Sequence, residues 1–245
     1  MTDDDMGIAD LPLALAREFR DLLLPRGCAG CDAPDEVLCP RCLALFEGAH
    51  ERSLPSMRQA WCHACAFYEG AARRAILSWK DHGDEECDRV FARCLADLAL
   101  RTADLESPAR ERDGDAPGVL LVPAPSSPAS KRRRGRWQMA PVVRMMARIL
   151  ADEGVAARPL PILRLNGVRG KSVQANGSLA RSRRIDGHVR AVRRVDDGAA
   201  LVLVVDDIVT TGSTMGQCVK ALRAAGAGQV AGLALACTAP RGGRP

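Results

Sequence analysis

Five uninterrupted aliphatic residues, Leu201 to Val205, run straight into Asp206-Asp207 and then, after Ile208-Val209, into Thr210-Thr211-Gly212-Ser213-Thr214. No other stretch of the chain restricts its fold as tightly. A strand that is apolar on both faces belongs inside a parallel sheet covered by helices. Such sheets bind ligands beyond the C-terminal ends of their strands, where this chain places two carboxylates. Small and hydroxyl-bearing residues then open a helix predicted over Ser213–Ala225, with Gly226 as its C-terminal cap. The unpaired N–H groups and the dipole of such a helix start favour an anion. Asp206 and Asp207 are poor partners for a phosphate, but they suit sugar hydroxyls or a hydrated Mg²⁺. An ordinary capped turn needs one Ser or Thr; the acidic pair followed by five small or hydroxyl residues points instead to a bound ribose 5-phosphate group.

The remaining pattern agrees with an α/β fold, a mostly parallel sheet with flanking helices. Val119–Val122 and Val230–Cys237 read as further buried strands, and Ala60–Tyr68 as another. Helices are predicted over Leu11–Leu24, Ala71–Lys80, Glu85–Leu100 and Trp137–Asp152, with Ala72, Ala75, Ile76 and Trp79 sharing one face of the second. Thr102–Gly118 carries Asp, Glu, Pro and Gly without periodicity and reads as a loop; Glu47–Gln59 reads as a linker. These boundaries divide the chain into residues 1–59, an N-terminal helix with a cysteine knuckle, and residues 60–245, the α/β domain. After Val122 come Pro123-Ala124-Pro125-Ser126-Ser127 and a basic run, Lys131 to Arg136, which makes either an anion-binding edge or a solvated loop. Asn166–Gln174, followed by several arginines, is either a hood over a charged ligand or an ordinary exposed loop.

Ten cysteines occur in the chain. Cys28-x-x-Cys31 and Cys39-x-x-Cys42 are two close pairs separated by a polar, turn-rich segment too short for a core of its own. Four thiolates at this spacing suit a structural zinc ion, whose binding would be coupled to folding. Cys62-x-x-Cys65 is a third pair, but it falls in a predicted strand, where positions three apart face opposite sides. Those two are expected to be separate thiols, and Cys87, Cys94, Cys218 and Cys237 to be small core residues.

The acidic start and the lack of any run of about eighteen uncharged residues argue against a secretory signal and a membrane span. The expectation is a cytoplasmic protein without membrane insertion, in which cysteines serve metal binding or packing rather than disulfides. The net charge of +5 suits a polyanionic ligand or nucleic acid. Only eight residues are Trp, Tyr or Phe, which counts against a stacking platform for single-stranded nucleic acid.

The segment Leu201–Thr214 resembles the binding motif of the type I phosphoribosyltransferase superfamily, which recognises phosphoribosyl pyrophosphate (PRPP). The resemblance implies that Asp206 and Asp207 meet the ribose hydroxyls and that Thr210, Thr211, Gly212, Ser213 and Thr214 hold the 5′-phosphate. Together with the cysteine knuckle, Tyr68-Glu69-Gly70, Lys80-Asp81-His82-Gly83, Val122-Pro123-Ala124-Pro125, Arg134-Gly135 and Gln174, the chain resembles the ComF/GntX-like family of competence-type phosphoribosyltransferase-like proteins. Lys80, Ser126, Ser127 and Arg134 are then the candidate pyrophosphate or anion contacts. The implied metals are structural Zn²⁺ on Cys28, Cys31, Cys39 and Cys42, and Mg²⁺ accompanying PRPP. The implied functions are phosphoribosyl transfer, PRPP sensing without catalysis, or handling of single-stranded DNA with competence proteins as partners. Two departures bear on specificity: Arg136-Trp137-Gln138 where the family commonly has Phe-Asn-Gln, and Arg184-Ile185-Asp186 where it has Arg-x-Asn.

Overall fold

A computed structural model describes residues 26–52, 54, 60–103, 118–165, 189–195 and 201–239. The predicted helix over Leu11–Leu24 and the Asn166–Gln174 segment lie outside them, as does Arg184-Ile185-Asp186. The elements are α1 (Pro40–Leu43), β1 (His50–Glu51), β2 (Cys62–Phe67), α2 (Gly70–Asp81), α3 (Cys87–Thr102), β3 (Val119–Pro123), α4 (Pro128–Arg134), α5 (Met139–Asp152), β4 (Ala157–Pro159), β5 (Leu163–Leu165), β6 (Val189–Ala191), β7 (Leu201–Val209), α6 (Ser213–Ala224) and β8 (Val230–Cys237).

Six strands form one sheet in the order β1-β2-β8-β7-β3-β4, and β5 and β6 make a separate antiparallel pair. Every pairing in the large sheet is parallel except that of β1 with β2. The mostly parallel sheet with helices on both faces is the fold class expected from the apolar strands. β7 and β8 are central and read as near-continuous apolar runs because both of their faces are covered.

Alternate residues of each strand enter different cores. Val119, Leu121, Leu203, Val205 and Leu233 join α2, α3 and α5, together with Cys28, Cys39, Cys42 and Phe46 from the cysteine knuckle. Leu120, Val122, Val202 and Val204 join α6 and the residues around β5 and β6 on the other face. Cys62 and Cys65 follow the same rule, the first entering the α6 core and the second the α3 core. They point to opposite faces of β2 and share no metal, as alternation requires.

Three elements differ from the sequence expectation. β1 lies within the segment read as a linker, where His50 and Glu51 pair with Ala64 and His63 of β2. β7 does not end at Val205 but continues to Val209, held by pairing of Asp206 with Ala234, Ile208 with Ala236 and Val209 with Cys237. Part of the basic run forms α4 rather than an irregular loop. Ser127 caps it by accepting from the Ser130 N–H at 3.0 Å, and Pro128 occupies the first turn. Both are favoured helix-start residues.

Candidate phosphate and ribose site

β7 carries Asp206 and Asp207 to the C-terminal edge of the sheet, and the turn 210–212 leads directly into α6. Gly212, the residue before that helix, sits at φ 75° in the left-handed region and provides no side-chain cap. Glycine meets that geometry without steric cost, and the cap leaves the first-turn N–H groups to an incoming acceptor. Ser213 N–H lies at a long 3.4 Å from Thr211 Oγ1.

A cleft of about 280 Å³ opens at this edge. Lys80, Ser126, Ser127, Ser130, Arg134, Trp137, Gln138, Asp206, Asp207 and Thr214 line it, with Ala124, Leu165 and Ile208 among its apolar walls. It therefore gathers residues from α2, the β3–α4 turn, α4, β7 and α6, which lie up to 134 positions apart between Lys80 and Thr214. Both predicted sets meet in it: Asp206, Asp207 and Thr214 from one, Lys80, Ser126, Ser127 and Arg134 from the other. Thr210, Thr211, Gly212 and Ser213 do not line the cleft but form the turn that precedes Thr214.

The charges are arranged in pairs. Lys80 Nζ forms an ion pair with Asp207 Oδ2, and both side chains are largely buried. The Lys80 carbonyl accepts from Gln138 Nε2 at 2.9 Å, which fixes the end of α2 against the start of α5. The next residue, Asp81, accepts from Arg134 Nε at 3.0 Å. Asp206 Oδ1 accepts from the Asp207 N–H at 2.8 Å. Burial, and then the neighbouring charge of Asp207, push the Asp206 carboxyl up to about 7 from an ordinary 3.8; Lys80 and the Asp207 N–H oppose this without reversing it. The site thus holds one carboxyl paired with a lysine and, near neutral pH, a second poised between charge states, able to donate or accept toward a sugar hydroxyl.

The basic run is divided. Arg136 makes a two-pronged contact with Asp88, at 2.8 and 2.7 Å, and Asp88 also accepts from Trp79 Nε1 at 2.6 Å. Arg136 is therefore committed to the interior rather than to an anion. Lys131 lies 4.2 Å above the ring of Trp137, and Trp137 Nε1 donates to the Ala124 carbonyl at 3.2 Å. Arg134 is the member of the run that lines the cleft. Ser127 Oγ is partly spent in capping α4, which leaves Ser126 as the less encumbered hydroxyl of the turn.

Two contributors had no marker in the sequence. Asp81 matters only through its meeting with Arg134. Arg52, inside the segment read as a linker, donates from Nη2 to the Thr210 carbonyl at 3.1 Å, and Thr238 Oγ1 donates to the same oxygen at 3.1 Å. The 210–212 turn is thus braced from outside the β7–α6 unit.

The four knuckle cysteines bring their sulfur atoms within 4.8 Å of one another. Zinc–sulfur bonds of about 2.3 Å in a tetrahedron require sulfur–sulfur distances of about 3.8 Å. The Cys31–Cys39 separation is 3.6 Å. The Cys28 sulfur accepts from the backbone N–H groups of Cys39 at 3.2 Å and Gly30 at 3.4 Å, as thiolates of metal turns do. A Cβ on Gly30 would lie 2.8 Å from the Cys42 sulfur, so the turn closes around the sulfurs without room for a side chain. The donor set and spacing fit Zn²⁺. Arg74 on α2 clasps the knuckle through the Gly30 carbonyl at 2.7 Å.

No protein-family model matches the chain, and no curated protein matches it. Among solved structures, the allosteric regulatory enzyme of purine biosynthesis is similar at 20% identity and a TM-score of 0.34, over 62% of this chain and 26% of that one. The chain thus spans about a quarter of the length of that enzyme. A purine phosphoribosyltransferase from Pyrococcus horikoshii is similar at 18% identity and a TM-score of 0.31, over 60% of this chain and 70% of that one. A hypoxanthine phosphoribosyltransferase from Trypanosoma cruzi, solved with its product IMP, is similar at 18% identity and a TM-score of 0.38, over 64% of this chain and 78% of that one. Among the described residues, no helix is long and apolar enough to cross a membrane.

Proposed function

We propose that this chain binds PRPP, or a related phosphoribosyl ligand, in the cleft at the C-terminal edge of β7, and that it transfers the phosphoribosyl group. The observation that carries this reading is the meeting of Asp206 and Asp207 with Lys80, Arg134 and Thr214 around one cleft beside a glycine-capped helix start. The assignment follows from charge. The turn 210–214 offers N–H groups and hydroxyls to a phosphate, the two carboxyls face hydroxyls, and Lys80 and Arg134 face the second anionic group. Ser126 and Ser127 stand on that second side, with Ser126 the freer donor.

A phosphoribosyl transfer asks the protein chiefly to hold a pyrophosphate leaving group and to exclude water from the sugar carbon. The oxygen donors of Asp206 and Asp207 and the adjoining hydroxyls are of the hard type that suits Mg²⁺, and the ion would neutralise charge on the departing pyrophosphate. Lys80 and Arg134 stabilise the same charge from the protein side, and Lys80 must share its ammonium between Asp207 and the ligand. The Zn²⁺ assigned to Cys28, Cys31, Cys39 and Cys42 is structural: four sulfur ligands leave no open position for a reactant.

The competence-type role and single-stranded DNA draw less support from the arrangement, because Arg136 is occupied by Asp88 and Lys131 by Trp137. Calorimetric titration with PRPP, with and without Mg²⁺, followed by pyrophosphate release across a panel of nucleobases, tests the proposal. Binding with base-dependent release is the expected result. Binding without release for any base leaves a PRPP sensor, and salt-dependent binding of single-stranded DNA without PRPP binding would overturn the reading.

A further inference from the structure

The segment between the cysteine knuckle and β2 is a strap with one destination. It leaves the knuckle through Phe46, which is 1% exposed and packs against Phe91 with ring centroids 5.3 Å apart. Arg101 on α3 then grips its backbone, donating to the carbonyls of Glu47 at 2.8 Å and Gly48 at 3.3 Å. Gly48 passes so close to the strand beneath that a Cβ there would lie 2.6 Å from the Cys65 carbonyl oxygen. His50 and Glu51 pair with Ala64 and His63, and the Arg52 N–H closes the register on the Cys62 carbonyl at 2.7 Å. Leu54, 5% exposed, pins the far side in the α6 core. Phe46, Glu47, Gly48, His50, Glu51 and Arg52 thus define a fixed path, and the path ends with the Arg52 guanidinium on the carbonyl of Thr210.

We propose that Arg52 is the positive charge of the phosphate turn, delivered across the sheet edge by the zinc-knuckle strap, and that it binds the 5′-phosphate of the ligand. This rests on the phosphoribosyl reading of the cleft. An arginine has five N–H donors in a rigid fork. Arg52 spends one on Thr210, at the first residue of the turn that leads into α6. The remaining face is available to an anion seated on residues 210–214. The turn itself contributes only backbone and hydroxyl donors, without a formal charge, and the two nearest charged side chains on its own strand are the acids Asp206 and Asp207. A dianionic phosphate placed there without a cation would meet net negative surroundings, and Arg52 corrects that balance. The contact also explains why the knuckle is joined to this domain by so tightly held a strap.

The test is titration of the full-length zinc-loaded protein with ribose 5-phosphate, comparing wild type with Arg52→Met and Arg52→Lys. An anion on the turn lies inside the roughly 8–10 Å over which salt leaves charges in contact, and a half-exposed charge at that range is worth about ten-fold in affinity. Arg52→Met is expected to bind about ten-fold more weakly near pH 7.5, and Arg52→Lys to recover part of the loss. A phosphate monoester has its second pKa near 6, so the Met variant's deficit should shrink near pH 5.5, where the ligand is a monoanion. Thr238 Oγ1 still holds the Thr210 carbonyl in both variants, so a purely structural brace predicts no such pH dependence. Equal affinity of Met variant and wild type, or a deficit of the same size at both pH values, overturns the proposal while the phosphoribosyl reading stands. Failure of wild type to bind ribose 5-phosphate removes that reading, and this proposal with it.

Discussion

Asp206 should cost the fold stability that its function requires. Its carboxyl ionises at about 7 in the folded protein against an ordinary 3.8, because burial and the Asp207 charge both oppose its negative form. Three pH units correspond to about 4 kcal/mol. The cleft admits solvent to part of the side chain, so about 2 kcal/mol is the realistic share. The sign follows from proton counting. Below about pH 4 both folded and unfolded chains hold the proton, and the penalty is absent. Between about 4 and 7 the folded protein retains a proton that the unfolded chain has lost, so stability falls as pH rises. Above about 7 the penalty is complete. Asp206→Asn preserves the shape and the acceptor for the Asp207 N–H but carries no charge. Urea unfolding of both proteins across this range should show the variant equal to wild type near pH 4 and about 2 kcal/mol more stable near pH 8. The variant should at the same time lose phosphoribosyl-ligand affinity. A stability difference independent of pH, or a destabilised variant at pH 8, would refute the reasoning about the buried carboxyl.

Three further outcomes follow from the same contacts. Asp88→Ala takes the acceptor from the buried Trp79 N–H and leaves Arg136 only the exposed Glu85, 3.3 Å away; urea unfolding should show a loss of about 3 kcal/mol, the low end of the cost of breaking a buried pair by removing one member. Lys80→Met leaves Asp206 and Asp207 without their cation, so pyrophosphate affinity by calorimetry should fall at least ten-fold, and the melting temperature should fall as well because Asp207 is left largely buried without its partner. Stripping zinc with a strong chelator, or Cys42→Ser, should remove the support beneath Phe46 and Phe91; at about 2–4 °C per kcal/mol for a chain of this size, a loss of about 3–4 kcal/mol lowers the melting temperature by roughly 10 °C.

The parts of this molecule legible from sequence are those set by neighbouring residues. Leu201–Val205 announces a doubly covered strand because nothing but aliphatic side chains occurs in it. Cys62 and Cys65 are assigned to opposite faces by alternation alone, and the four knuckle cysteines by spacing. Ser127 and Pro128 are local start signals for α4, although the basic residues after them are equally compatible with a solvated loop. The rest depends on partners remote in the chain. β7 continues through two adjacent acids only because β8 supplies hydrogen bonds to Asp206 through Val209, an outcome no local propensity gives. Arg136 belongs to a run whose sequence allows either an anion-binding edge or a solvated loop, and only the packing of α3 brings Asp88, 48 residues earlier in the chain, against it. Arg52 had no signal of its own, because the residue it reaches lies 158 positions away.

The central claim, that the edge of β7 holds a phosphoribosyl group, is tested most directly by one calorimetric comparison. PRPP with Mg²⁺ is titrated into wild type and into the Asp206→Asn, Asp207→Asn double variant near pH 8, above the value of about 7 at which Asp206 ionises. The account predicts saturable one-site binding by wild type and a loss of at least ten-fold by the variant, which remains folded. Equal affinity of the two proteins, or no binding by either, would contradict it.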